Sequence, residues 1–165
     1  MAEQYKSLSN LRSLIFFSEL WEALESRDHK RLAMLVNSGR ISMHLKHPQY
    51  GNPLHCVARA GLLGAVQMML RKFPSGINLQ TDNEKQTPLH IAASANELEV
   101  VRALLHANAN TDIPDSLGHT PLHIATINGF ENIVRELLAK NASVTCRSLE
   151  GYTAMHLGTS VTAMH

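Results

Sequence analysis

One block of this sequence returns at a fixed interval. Asp115-Ser116-Leu117-Gly118-His119-Thr120-Pro121-Leu122-His123-Ile124-Ala125 is its fullest copy. Thr120 carries a side-chain oxygen suited to capping a helix, and Pro121 follows at the first helical position, where a missing N–H costs nothing. Asp115 and Gly118 are turn residues. The segment therefore reads as a tight turn that launches a helix. Gln86-Thr87-Pro88-Leu89-His90-Ile91-Ala92 stands 33 residues earlier, and Tyr152-Thr153-Ala154-Met155-His156-Leu157-Gly158 stands 33 residues later. Gly51-Asn52-Pro53-Leu54-His55 lies 35 residues before the Thr87 copy.

A period of 33 carrying T-P-L-H-x-A resembles the ankyrin repeat family. The likeness runs from about Ser18 to the C-terminus. It implies an all-α fold, a solenoid of stacked helix-turn-helix units with finger-like turn loops. Residues 1–17 are then a tail and capping helix, and 18–165 the repeat domain. Its units are about 18–46, 47–81, 82–114 and 115–147, with a partial one at 148–165.

The second helices line up in columns. Arg31-Leu32 with Leu35-Val36 corresponds to Ala65-Val66 with Met69-Leu70, to Val100-Val101 with Leu104-Leu105, and to Ile133-Val134 with Leu137-Leu138. That spacing makes a broad apolar stripe on one helix face, fit for packing against neighbouring units. Gly39, Asn108 and Asn141 stand where each second helix should stop, and these residue types tolerate a left-handed cap. In the first unit Ser18 is a candidate cap, and Trp21 replaces the histidine. Whether Leu11–Glu25 is one helix or two stays open. The second unit runs two residues long, and Pro74-Ser75-Gly76 locates the insertion in a loop. Lys85 stands where the family uses glycine, so a different turn is expected there. Thr81, outside every copy of the motif, is expected to matter little.

Charges nearly cancel, 15 Lys plus Arg against 14 Asp plus Glu. That gives no electrostatic case for nucleic acid or an acidic membrane. The longest apolar run, Leu14-Ile15-Phe16-Phe17, is too short to span a bilayer, and no leader peptide is expected. Cys56 and Cys146 lie nearly three units apart and should not meet, so a reduced cytoplasmic or nuclear setting is expected.

Ten histidines invite a metal reading. His55, His90, His123 and His156 share one place in successive units. Stacked helices sit ~8–10 Å apart, whereas zinc needs ligands at about 2.0–2.1 Å. The resemblance implies instead that these histidines bond the threonine hydroxyl and nearby backbone, tying units together. His44 and His47 are three apart, but Pro48 and a missing third ligand argue against a site. Cys56 reads as a small buried hydrophobe. Asp82, Glu84 and Asp115 read as solvated turn residues. Neither enzyme chemistry nor a cofactor is expected.

The resemblance further implies protein binding through loop tips and the exposed face of the first helices. By position these are Gln49, Tyr50, Asn83, Glu84, Gln86, Ser116, Leu117, His119, Leu149 and Tyr152 at the tips. Arg59, Ser94, Ile127 and Asn128 lie on the first helices, beside Ala60, Ala95, Ser160 and Val161. Leu117, Ile127, Leu149 and Tyr152 are apolar or aromatic where the motif leaves water, which favours a binding patch. Residues 77–92 also resemble a stretch of the IκB and Cactus inhibitors, which hold Rel-type transcription factors. No Asp-Ser-Gly phosphorylation motif precedes the repeats and no acidic tail follows them.

At the C-terminal end, Met155, Leu157, Val161 and Met164 offer no polar cap. A monomer whose last fifteen residues fray is expected, with association through this open end as the second outcome.

Overall fold

The computed structural model describes residues 18–26, 28–38 and 51–162. The expected tail and capping helix at 1–17, the stop at Gly39, His44, His47, Gln49, Tyr50 and Met164 lie outside the described residues. Residues 18–25 form α1. There follow α2 (His29–Asn37), α3 (Pro53–Arg59), α4 (Leu63–Lys72), a 3-10 turn (Pro74–Gly76), α5 (Pro88–Ser94), α6 (Leu98–His106), α7 (Pro121–Ile127), α8 (Glu131–Ala139) and α9 (Ala154–Thr162). Helices α3, α5, α7 and α9 pack in succession as an inner row, and α2, α4, α6 and α8 as an outer row. Within each pair, α3 lies on α4, α5 on α6 and α7 on α8. The fold is an all-α stack of helix pairs.

Why such short helices form follows from their ends and their burial. Each of α3, α5 and α7 has seven residues with proline in its first turn. Isolated helices shorter than about 12–15 residues are marginal in water, so tertiary burial must hold them. All of Pro53–Ala58, Pro88–Ala93 and Pro121–Ala125 is buried. Asn52 accepts the Leu54 and His55 N–H groups at 2.9 and 3.2 Å, which caps α3. Thr87 accepts the His90 N–H at 3.4 Å.

Left-handed residues end the helices as expected at Asn108 (φ 62°) and Asn141 (φ 61°). The next amides, of Ala109 and Ala142, reach back to Leu104 and Leu137 carbonyls at 3.0 and 3.1 Å. This six-to-one bond satisfies carbonyls that a helix end leaves open. The inserted residues of the second unit form the 3-10 turn at Pro74–Gly76.

As expected, the turn at Lys85 differs from the others: the Thr81 N–H closes it on the Gln86 carbonyl, a residue further than Asp115 on His119 or Ser148 on Tyr152, although Lys85 takes the left-handed φ, 55° against 79° for Gly118 and 86° for Gly151. Two expectations need correction. Ser18 is itself helical rather than a cap before the helix. Leu138 departs from its column: Leu105 is 3% exposed but Leu138 is 42% exposed. Among the described residues no outer helix follows α8 to cover that side.

Candidate functional site

The tips are built by the residue that opens each turn. Thr81, Asp115 and Ser148 each donate their N–H across the loop, to the carbonyls of Gln86, His119 and Tyr152, all at 2.8 Å. Each also accepts with its side chain. Thr81 Oγ1 takes the Gln86 N–H at 3.0 Å, Asp115 Oδ1 those of Leu117 and His119 at 2.9 and 2.8 Å, and Ser148 Oγ that of Tyr152 at 3.3 Å. Thr81 therefore has a role that the motif register hid, and Asp115 is a structural acceptor rather than a merely solvated carboxylate. The first tip is one residue wider than the others, so Thr81 falls out of alignment with Asp115.

Successive tips are joined by backbone. The Ser116 N–H donates to the Glu84 carbonyl at 2.8 Å, and the Leu149 N–H to the Leu117 carbonyl at 2.9 Å. Gln80 Nε2 donates to the carbonyls of Lys85 and Pro114 at 2.7 and 3.0 Å. Nothing in the sequence singled Gln80 out.

On this frame Leu117, Leu149 and Tyr152 are 59%, 78% and 48% exposed, and Ile127 at the end of α7 is 39% exposed. Asn83, Glu84 and Ser116 at the tips are exposed, as are Arg59, Ser94 and Asn128 at the first-helix ends. Gln86 and His119 are half-buried, because their carbonyls close the turns and face the preceding unit. The backbone bonds thus bring the last two tips side by side, with Leu117, Leu149 and Tyr152 close in the fold.

Beneath the tips run the histidines. His90 Nδ1 faces the Thr87 N–H at 3.1 Å, and its Nε2 faces the His119 carbonyl at 3.0 Å. An amide can only donate and a carbonyl can only accept, so Nδ1 is bare and Nε2 carries the proton. His123 repeats the arrangement with the Thr120 N–H at 3.1 Å and the Tyr152 carbonyl at 3.2 Å. His55 does so with the Asn52 N–H at 3.2 Å and the Gln86 carbonyl at 3.0 Å. The Thr87 and Thr120 hydroxyls lie 2.7 and 2.8 Å from the same Nδ1 atoms. Burial lowers the pKa of His90 and of His123. Both nitrogens of these rings are engaged, which leaves no lone pair for a metal. The described residues contain no group of three or more His, Cys, Asp or Glu able to hold one.

On the outer side, Arg102 of α6 binds Glu99 at 2.7 Å and Glu136 of α8 at 2.8 Å. An open groove between α4 and α6, lined by Leu63, Leu70, Arg71, Arg102 and His106, lacks the enclosure typical of a small-molecule site. No helix among the described residues is long and apolar enough to cross a membrane.

A family profile described as ankyrin repeats (3 copies) matches residues 20–115 and again 106–161. Together these matches span most of the chain and coincide with the stacked helix pairs. The chain belongs to the ankyrin repeat family.

Proposed function

We propose that this chain is a non-enzymatic interaction module that holds a protein partner against its turn tips and first-helix ends. The observation that carries the reading is the row of exposed Leu117, Leu149 and Tyr152 on tips tied by backbone hydrogen bonds. Such tips are pre-organised, so a partner loses little ordering entropy on binding them. Apolar and aromatic anchors of this kind dominate interface energetics. The binding set is Gln49, Tyr50, Arg59, Asn83, Glu84, Gln86, Ser94, Ser116, Leu117, His119, Ile127, Asn128, Leu149 and Tyr152, presented by units at about 18–46, 47–81, 82–114, 115–147 and 148–165. Cys56 and Cys146, neither of them in a disulfide, accord with a cytoplasmic or nuclear setting.

Affinity purification from the source cell, followed by a binding isotherm, tests this. Leu117→Asp with Tyr152→Ala should weaken the captured partner at least tenfold, about 1.4 kcal/mol, with helicity unchanged. An unaltered affinity would move the site off the tips. A second reading, inhibition of a Rel-type transcription factor, rests on the 77–92 resemblance and on the inserted turn at Pro74–Gly76 just before it. A pull-down with purified Rel-homology domains separates the two readings.

A further inference from the structure

Helix α7 ends on a residue pair that its counterparts do not carry. The C-caps of α3 and α5 are Ala60 and Ala95, followed by Gly61 and Asn96, whereas α7 closes on Asn128 followed by Gly129. Among the asparagines of the chain, Asn128 alone precedes a glycine. Both residues of the pair are exposed. A Cβ added at Gly129 would meet nothing within 4 Å, so water reaches the junction. Two hydrogen bonds hold the pair in place. Asn128 Nδ2 donates to the Ile124 carbonyl at 2.8 Å, and the Gly129 N–H donates to the Thr126 carbonyl at 3.1 Å.

We propose that Asn128 is a site of spontaneous deamidation, gated by the last turn of α7. The Gly129 nitrogen gives its proton to a base in the solvent and attacks the Asn128 side-chain carbonyl carbon. The Cγ–Nδ2 bond breaks, ammonia leaves, and a five-membered succinimide remains. Water then opens the ring at one carbonyl or the other, which leaves aspartate or isoaspartate. One water is consumed for each ammonia released, and nothing is oxidised or reduced. Glycine suits the attacking position because it has no Cβ to hinder a close backbone approach. The folded geometry holds the reaction back. At the Asn128 ψ of −2° the Gly129 nitrogen is rotated away from Cβ about the Cα–C bond, and ring closure needs the two in line. The attacking nitrogen is engaged with Thr126 and the leaving nitrogen with Ile124, so the end of α7 must open first. The products cannot restore the cap. A carboxylate has no N–H for the Ile124 carbonyl and adds negative charge at a helix C-terminus. Isoaspartate also lengthens the main chain by one methylene at the turn into α8. This chemistry needs no partner, so it stands or falls apart from the binding reading.

Incubation of the full chain at mildly alkaline pH, followed by peptide mapping and enzymatic methyl labelling of isoaspartate, tests this. The first amide lost should be that of Asn128, with isoaspartate at the same residue. In guanidinium that residue should react at least about tenfold faster, the factor set by an opening free energy of ~1.4 kcal/mol. Asn128→Ala installs the residue that α3 and α5 already carry there, and should remove the first event with helicity unchanged. The deamidated chain, separated by its added negative charge, should melt below the unmodified one. Another asparagine reacting first, or equal rates in the folded and unfolded chain, would overturn the proposal. A deamidated chain that melts with its parent would overturn the gate, because the cap would then not depend on the amide. Should Asn128→Ala lose helicity, the wild-type map and rate ratio decide.

Discussion

His90 Nε2 stands 3.0 Å from the carbonyl oxygen of His119, one unit further along the stack. The bond spans 29 residues of sequence and couples the first turn of α5 to the closing residue of the next tip. On its other side the same ring accepts the Thr87 N–H, so one imidazole joins a helix cap to the neighbouring unit. His55 and His123 make the same junction one unit before and one unit after. The tips are therefore anchored to the interior through side chains that work only when neutral.

Acid should loosen these junctions. Burial holds the pKa of His90 and of His123 below the ordinary 6.5. The carbonyl that each ring bonds, of His119 for His90 and of Tyr152 for His123, opposes this in part, as does Asp115, while the charge of the His119 ring adds to it. The unfolded state then binds more protons, so stability is full above about 6.5 and falls as the pH drops toward the folded values. The limiting slope is ~1.4 kcal/mol per pH unit for each such histidine. Urea unfolding through the mildly acid range should show this decline, and His90→Gln should flatten it. A flat profile in the wild type would mean that the rings accept protons in place.

Thr120 is 1% exposed, and its hydroxyl lies 2.8 Å from His123 Nδ1. Thr120→Val keeps the shape and removes that bond, at a cost of about 0.5–2 kcal/mol. Thr81→Val should also be felt, at about 0.5–1.5 kcal/mol, because it strips the acceptor from the Gln86 N–H. Urea midpoints compare the two directly. A Thr81→Val midpoint equal to that of the wild type would remove Thr81 from the tip.

The two threonines mark how far the sequence could be read. Thr120 was legible because cap, proline and histidine sit at fixed local offsets, and three further copies set the register. Helix pairs, left-handed caps at Asn108 and Asn141, and buried histidines all follow from that local chemistry. Thr81 was illegible because its role depends on a turn one residue wider than its neighbours, which no offset records. Gln80 was missed for a related reason: its partner Pro114 lies 34 residues away in the next unit. Leu138 reads as core in the sequence because a column of leucines cannot say where its cover ends. Ile127, Leu117, Leu149 and Tyr152 were legible as exposed, since the motif fixes which positions face water.

Lys85 and Gly118 make a matched pair of tip substitutions. Both sit in the left-handed region, where a side chain costs roughly 1–2 kcal/mol. Lys85→Gly should recover part of that and stabilise the chain by about 0.5–1 kcal/mol after glycine's own entropy loss. Gly118→Ala should destabilise by more than 1 kcal/mol, roughly the left-handed cost plus a steric one. Its new Cβ would stand 2.7 Å from the Leu149 backbone nitrogen, the atom that bonds the Leu117 carbonyl. Thermal melts should therefore move in opposite directions. A shift of the same sign in both would show that the left-handed backbone at Lys85 carries no such strain.

The two cysteines should separate cleanly by reactivity. Cys56 lies in α3 at 3% exposure, and burial pushes its thiol up to about 12, with Arg59 opposing that shift only in part. The thiolate is the reactive form, so Cys56 is almost wholly unreactive near neutral pH while folded. Cys146 is half-buried on the segment between α8 and α9, and neither cysteine is in a disulfide. A chromogenic disulfide reagent at neutral pH should therefore titrate one thiol in the native protein and both in guanidinium. Cys146→Ser should abolish the native reaction and leave the denatured one. Because Cys56 shares its helix with His55, whose Nε2 reaches Gln86, its slow labelling reports opening of that junction. Labelling of Cys56 that speeds up as the pH falls, after correction for the thiolate fraction, would couple this opening to the acid loosening expected at His90 one unit on. A corrected rate that ignores pH would separate the two events.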